Sequence, residues 1–106
     1  MTFTTPQWPA LIRHHGDAEL EYIPDAEGFH TWQYSIPTPA TLIDATGQAF
    51  ELSAKKELLS ASELPLEEIL ALIRAHAALE GVCCTTKLGA PDIPSAMALL
   101  ASLVKE

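Results

Sequence analysis

The spacing of apolar residues changes character near Lys55, and that change limits what the chain can build. Before it, short apolar stretches alternate with polar residues and are punctuated by turn formers, as strands and hairpins are. After it, Leu66, Ile69, Leu70, Ile73 and Ala77 recur at intervals of three and four, which places them on one helical stripe. Pro65 suits the start of that helix, Glu67 and Glu68 favour its positive end, and Gly81 stops it. A second helix starts after Asp92 as N-cap, with Pro94 in its first turn. Strands first and helices afterwards predict an α+β domain.

Two hairpins are legible in the first half. Ala10–His14 and Ala18–Ile23 flank His15-Gly16-Asp17; a three-residue loop there sets Ile12 opposite Leu20, Arg13 opposite Glu19 and Ala10 opposite Tyr22. In the second, Asp44-Ala45-Thr46-Gly47 has the residues of a type I turn followed by a glycine bulge. Leu42 then faces Phe50, Ala40 faces Leu52, and Thr41 lies with Glu51 on the other side. Between the hairpins, Asp25–Phe29 reads as a single helical turn and the alternating, aromatic His30–Ile36 as a further strand. The expected architecture is an antiparallel sheet of about four strands, with two C-terminal helices packed on one face and the other face solvated. It forms one domain over residues 1–106, strand-rich over 1–54 and helical over 62–104.

Charge narrows the partners. The net charge is −8, and residues 1–53 carry seven acids against a single base, Arg13. Nucleic acid and anionic lipid surfaces repel such a chain, whereas a basic protein partner suits it. Met1–Ile12 has no basic segment followed by an apolar one, and no apolar run approaches the roughly 20 residues of a membrane span. A cytoplasmic protein is therefore expected.

Reactive chemistry has one candidate location, the tandem Cys83-Cys84. Neighbouring thiols fit poorly into a disulfide, and zinc sites usually separate their thiols by two to four residues. Buried structural thiols are the favoured reading. Redox sensing, or metal binding with His76 as a further ligand, stays open, and Lys87 near Cys84 would lower a thiol pKa if the side chains met. The pair His14-His15 at a hairpin tip reads as a polar turn. No catalytic constellation and no cofactor-binding signature is spelled out, so no cofactor is expected.

Two surfaces are candidates for interaction. Asp17, Glu19 and Glu21 alternate and would share one face of the second strand, a solvated face or a dock for a basic partner. In the last helix, Leu99 and Val104 widen the stripe of Ile93, Ala96, Met97, Leu100 and Leu103 until little of it is polar. Met97, Leu99, Leu103 and Val104 would then form a homodimer interface if the helix is left uncovered. The aromatics Trp32 and Tyr34 mark a third class, a small-molecule pocket.

Several strings in the chain are distinctive together: Trp8-Pro9-Ala10-Leu11-Ile12 leading to Gly16-Asp17, and Leu42-Ile43-Asp44-Ala45-Thr46-Gly47 with Phe50-Glu51-Leu52. Arg74-Ala75-His76-Ala77 follows, leading through Gly81 and Cys83-Cys84 to Lys87-Leu88-Gly89-Ala90-Pro91. On these residues the chain resembles a bacterial domain-of-unknown-function family of about this length. The resemblance implies a short stand-alone protein and assigns no reaction, cofactor or site residue. The function expected is a non-catalytic interaction or regulatory module, with a thiol-centred protein and a small-molecule binder as alternatives.

Overall fold

The computed structural model describes residues 5–33, 39–55, 57–82 and 85–103, and among them are five strands and three helices. Strands β1 (Ala10–His14) and β2 (Leu20–Ile23) are followed by helix α1 (Ala26–Trp32). Then come β3 (Ala40–Ile43), β4 (Gln48–Leu52), β5 (Leu58–Glu63), α2 (Leu66–Leu79), a 3-10 turn (Thr85–Lys87) and α3 (Ile93–Leu103). The sheet is antiparallel throughout, in the order β2-β1-β3-β4-β5. The α+β class is as expected, with one strand and one helix more than the sequence suggested.

The β3–β4 hairpin has the expected register, Ala40 facing Leu52, Thr41 facing Glu51 and Leu42 facing Phe50. Its turn is held by the Asp44 carboxylate. Oδ1 accepts from the backbone N–H of Thr46 (2.8 Å) and Gln48 (3.1 Å) and from the Thr46 hydroxyl (2.7 Å), while Oδ2 accepts from the Gln7 N–H (3.0 Å). Asp44 is buried, and it ties the segment before β1 to the turn.

The first hairpin is displaced by one residue from expectation: Arg13 faces Leu20, Ile12 faces Glu21, Leu11 faces Tyr22 and Ala10 faces Ile23. Matching apolar with apolar failed as a guide because both sheet faces are covered, so neither needs to be polar. Leu11, Leu20, Ile43 and Ala49 pack under α2 and α3, with Ile69, Ile73, Met97 and Leu100. On the opposite face Ala10, Ile12, Ile23, Leu42, Phe50 and Leu52 are buried together with Phe29 of α1, and Trp8 packs against them. The face expected to be solvated is therefore a second core. A two-sided sheet hides its register from any argument based on alternation.

Helix α1 also replaces the strand expected from His30. Asp25 caps it by accepting the Gly28 N–H at 2.7 Å, and Phe29 anchors it on the sheet, 5.8 Å from the Trp8 ring centroid. The remainder of the expected strand, residues 34–36, lies outside the described residues. Strand β5 has almost no burial pattern, with Ser60–Glu63 exposed, and it forms by pairing with β4 across a turn in which Ser53 Oγ accepts from the Lys55 and Glu57 N–H groups. It extends the strand region to Glu63, past the expected limit at residue 54.

The C-terminal half behaves as its spacing predicts. Gly81 (φ +83°) ends α2, where Gly81 N–H donates to Ala78 and Val82 N–H to Ala77, the bond pattern of a left-handed glycine cap. Asp92 caps α3, and hydrogen bonds from the Ser95 side chain and backbone hold its carboxyl below the usual range. Arg74, expected on the solvated side of α2, donates from Nε to the Leu88 carbonyl (2.8 Å) and so pins the α2–α3 connection.

Candidate functional site

Antiparallel ladders alternate residues that bond to the neighbouring strand with residues that turn their N–H and C=O away from it. Leu20 turns away from β1, because its N–H donates to Nδ1 of His76 at 2.9 Å. The alternation then turns Tyr22 outward as well, while Glu21 and Ile23 bond to β1. Strand β2 is an edge of the sheet, and among the described residues no strand pairs with its outer side.

His76 comes from the stripe of α2 and is 3% exposed. Because Nδ1 accepts, the ring carries its proton on Nε2, which is buried and has no partner among the described residues. His76→Leu keeps the bulk but removes the acceptor, leaving the Leu20 N–H without a partner. It is expected to lower stability by about 1–2 kcal/mol in urea unfolding and to speed exchange of the Leu20 amide.

Along this edge runs a groove of about 890 Å³. Its floor is the edge of β2 with Glu19 just before it, one wall is Gly28 and Trp32 of α1, and the other includes Ala101 of α3. The small residues Gly28 and Ala101 leave room between the helices. Trp32, 49% exposed, presents its indole at the wall. Every carboxylate or basic side chain lining the groove is Glu19, Glu21 or His14, so its polar lining is acidic. His14 Nε2 pairs with Glu21 Oε2 across the β1–β2 hairpin.

The sequence candidates are distributed unevenly over this site. Glu19 and Glu21 line the groove, but Asp17, Glu19 and Glu21 do not alternate along one strand. Strand β2 starts only at Leu20, and Asp17 and Glu19 belong to the preceding turn, where Asp17 Oδ1 accepts the Glu19 N–H (3.1 Å). Met97 is 0% exposed and belongs to the core under α2, which removes it from the surface. Leu99 and Leu103 are half-buried against the same core, and Val104 lies outside the described residues. Cys83, Cys84 and Tyr34 also lie outside them. Lys87 is exposed in the 3-10 turn. Among the described residues no three His, Cys, Asp or Glu side chains gather closely enough to hold a metal ion.

A family model, DUF4144, described as a protein structure with unknown function, matches residues 8–100, which takes in every strand and most of α3. The chain belongs to the DUF4144 family. The DUF4144 chain is also similar to a solved structure, an NMR structure of the protein from Shewanella amazonensis. The two are 27% identical with a TM-score of 0.77, over 99% of this chain and 96% of that one. No curated protein matches it. For DUF4144 the family thus brings a fold and no activity, and the functional reading rests on the edge of β2. Among the described residues of this DUF4144 member, no helix is long and apolar enough to cross a membrane.

Sequence reasoning missed the groove because it ended the helical turn at Phe29 and read His30 onward as a strand, whereas α1 runs on to Trp32. The start at Asp25 was legible, and Asp25 does cap the helix by accepting the Gly28 N–H. It missed the role of His76 because a histidine on an apolar stripe does not announce a backbone partner 56 residues away.

Proposed function

We propose that this protein is a non-catalytic interaction module of the cytosol that holds an extended, basic segment of a partner protein along the outer edge of β2. The single observation that carries the reading is the groove itself, which borders an edge strand between two helices where the outward Leu20 N–H is taken by His76 and Tyr22 lines the open space. Strand addition takes its affinity from main-chain hydrogen bonds and its specificity from pockets for alternate side chains. Tyr22 supplies an outward donor and acceptor, Trp32 an aromatic wall, and Glu19 and Glu21 the charge that selects Lys and Arg. The net charge of −8 adds long-range attraction for the same partner.

The opposite edge is the poorer dock. The pairing of β5 with β4 shifts register between Gln48 and Phe50 of β4, and Gln48 Nε2 already donates to the carbonyl of Ala61 in β5 (2.9 Å). Irregular edges of this kind resist pairing.

The test is a synthetic heptapeptide of alternating lysine and valine, followed by fluorescence anisotropy. Saturable binding is expected, weakened at least tenfold by Glu19→Lys/Glu21→Lys. N-methylation of the peptide amides on one alternate set is expected to abolish binding, and on the other set to leave it intact. Equal loss from both sets, or equal affinity for a glutamate–valine peptide, would refute strand addition.

A further inference from the structure

A second cavity, of about 400 Å³, lies on the helix-covered face of the sheet, beside α2 and away from the β2 edge. Its floor is Ile43 and Ala49, and Ala71 and Leu72 of α2 form an apolar wall. One cross-strand row crosses it, Arg13 opposite Thr41 and Thr41 opposite Glu51. Glu51 is held in place: its Oε2 accepts from the Thr41 hydroxyl (3.0 Å) and its Oε1 lies 3.3 Å from His15 Nε2. Glu68 of α2 also lines the space.

Arg13 is not held. It is half-buried, yet it makes no hydrogen bond or ion pair with any described residue, although two carboxylates line the same cavity. A guanidinium offers five donors in a planar fork that matches a carboxylate bidentately. Only the stem of Arg13 is covered, since none of its guanidinium nitrogens is both buried and without a partner, so the fork is hydrated and open to a ligand carboxylate. Neighbouring strands are about 4.8 Å apart, so Arg13 and Glu51 stand about 10 Å apart at the backbone with the short Thr41 between them. Their side chains bracket a compact molecule with opposite charges at its two ends. A dianion such as phosphate is disfavoured by Glu51 and Glu68.

We infer that this cavity binds a small zwitterion of the amino-acid type, with its carboxylate on Arg13, its ammonium towards Glu51 and Glu68, and an apolar side chain over Ile43, Ala49 and Leu72. The site is separate from the β2 groove, and neither depends on the other. Binding is non-covalent, with no chemical step.

Titration of the ¹⁵N-labelled protein with leucine, leucinamide and N-acetyl-leucine tests it. Leucine is expected to shift the amides of Arg13, Thr41 and Glu51 saturably. Leucinamide, which lacks the carboxylate, and N-acetyl-leucine, which lacks the ammonium, are each expected to bind at least tenfold more weakly. Arg13→Met is expected to lose at least twentyfold in leucine affinity, and Arg13→Lys at least fivefold because the fork is lost while the charge stays. An unchanged spectrum outside β1 and its neighbours shows that the variants are folded, and Arg13→Lys carries the test if Arg13→Met is not. No leucine-dependent shift in this row, or equal binding of leucine and leucinamide, would overturn the assignment. Equal binding of leucine and N-acetyl-leucine would overturn it as well.

Discussion

Gly47→Ala is expected to destabilise the protein by about 4 kcal/mol, the largest effect among the alanine substitutions of its five glycines. Two independent causes add. Gly47 sits at φ +90°, a left-handed conformation that costs an alanine about 1–2 kcal/mol. A Cβ there would also lie 2.6 Å from the Leu64 carbonyl oxygen and 2.9 Å from Ile93 Cδ1. The carbonyl cannot retreat easily, because the Leu64 N–H is bonded to the Gly47 carbonyl at 2.8 Å and holds the two backbones together. Overpacking of this kind adds about 1–3 kcal/mol. Gly16 separates the causes, since it has φ +81° but a Cβ added to it would meet nothing within 4 Å. Gly16→Ala is expected to show the backbone part alone, about 1 kcal/mol. Urea unfolding of both variants measures the difference, and equal losses would show that the contact at Leu64 does not constrain the fold.

Asp44→Ala is expected to lower stability by about 3 kcal/mol, which corresponds to a fall of about 15 °C in Tm for a domain of this size. Its carboxylate is the shared acceptor for three backbone N–H groups, those of Gln7, Thr46 and Gln48, and for the Thr46 hydroxyl. Truncation leaves donors in a buried setting where water replaces the lost acceptor poorly. Asp44→Asn separates the turn from the strap. Its remaining oxygen can still serve Thr46 and Gln48, but its amide then meets the Gln7 N–H donor to donor. About half the loss is expected, together with faster exchange of the Gln7 amide. Calorimetry of the two variants checks the order, and an asparagine variant as damaged as the alanine one would contradict this division of labour.

How much of this was legible in the sequence depended on whether the cause of an element was local. The Asp44–Gly47 turn, the glycine stop at Gly81 and the Asp92 cap are set by backbone demands within a few residues, and each was readable from residue type. The β1–β2 register was not, because Leu20 and Ile23 are buried on opposite faces and pattern matching had two acceptable answers. Strand β5 was hidden for the reverse reason: Ser60, Ala61 and Ser62 carry little strand preference, and pairing with β4 alone makes them a strand.

The candidate site was legible only as chemistry without position. Glu19, Glu21 and Trp32 stood out in the sequence, but their convergence depends on α1 folding back across the sheet and α3 closing the other side. Likewise Arg13 was visible as the sole base of the first half, whereas its lack of a described partner beside Glu51 and Glu68 is a property of the folded sheet. Met97 shows the converse: an apolar helix looked underemployed until the sheet and α2 covered it.

Whether β2 accepts another strand is decided most directly by hydrogen exchange at one amide. With the lysine–valine heptapeptide at saturation, exchange of the outward Tyr22 amide should slow at least tenfold, while the Glu21 amide, already bonded to β1, should keep its rate. A peptide that binds and leaves Tyr22 exchanging at its free rate would contradict strand addition at this edge, as would protection that appears along β5 instead.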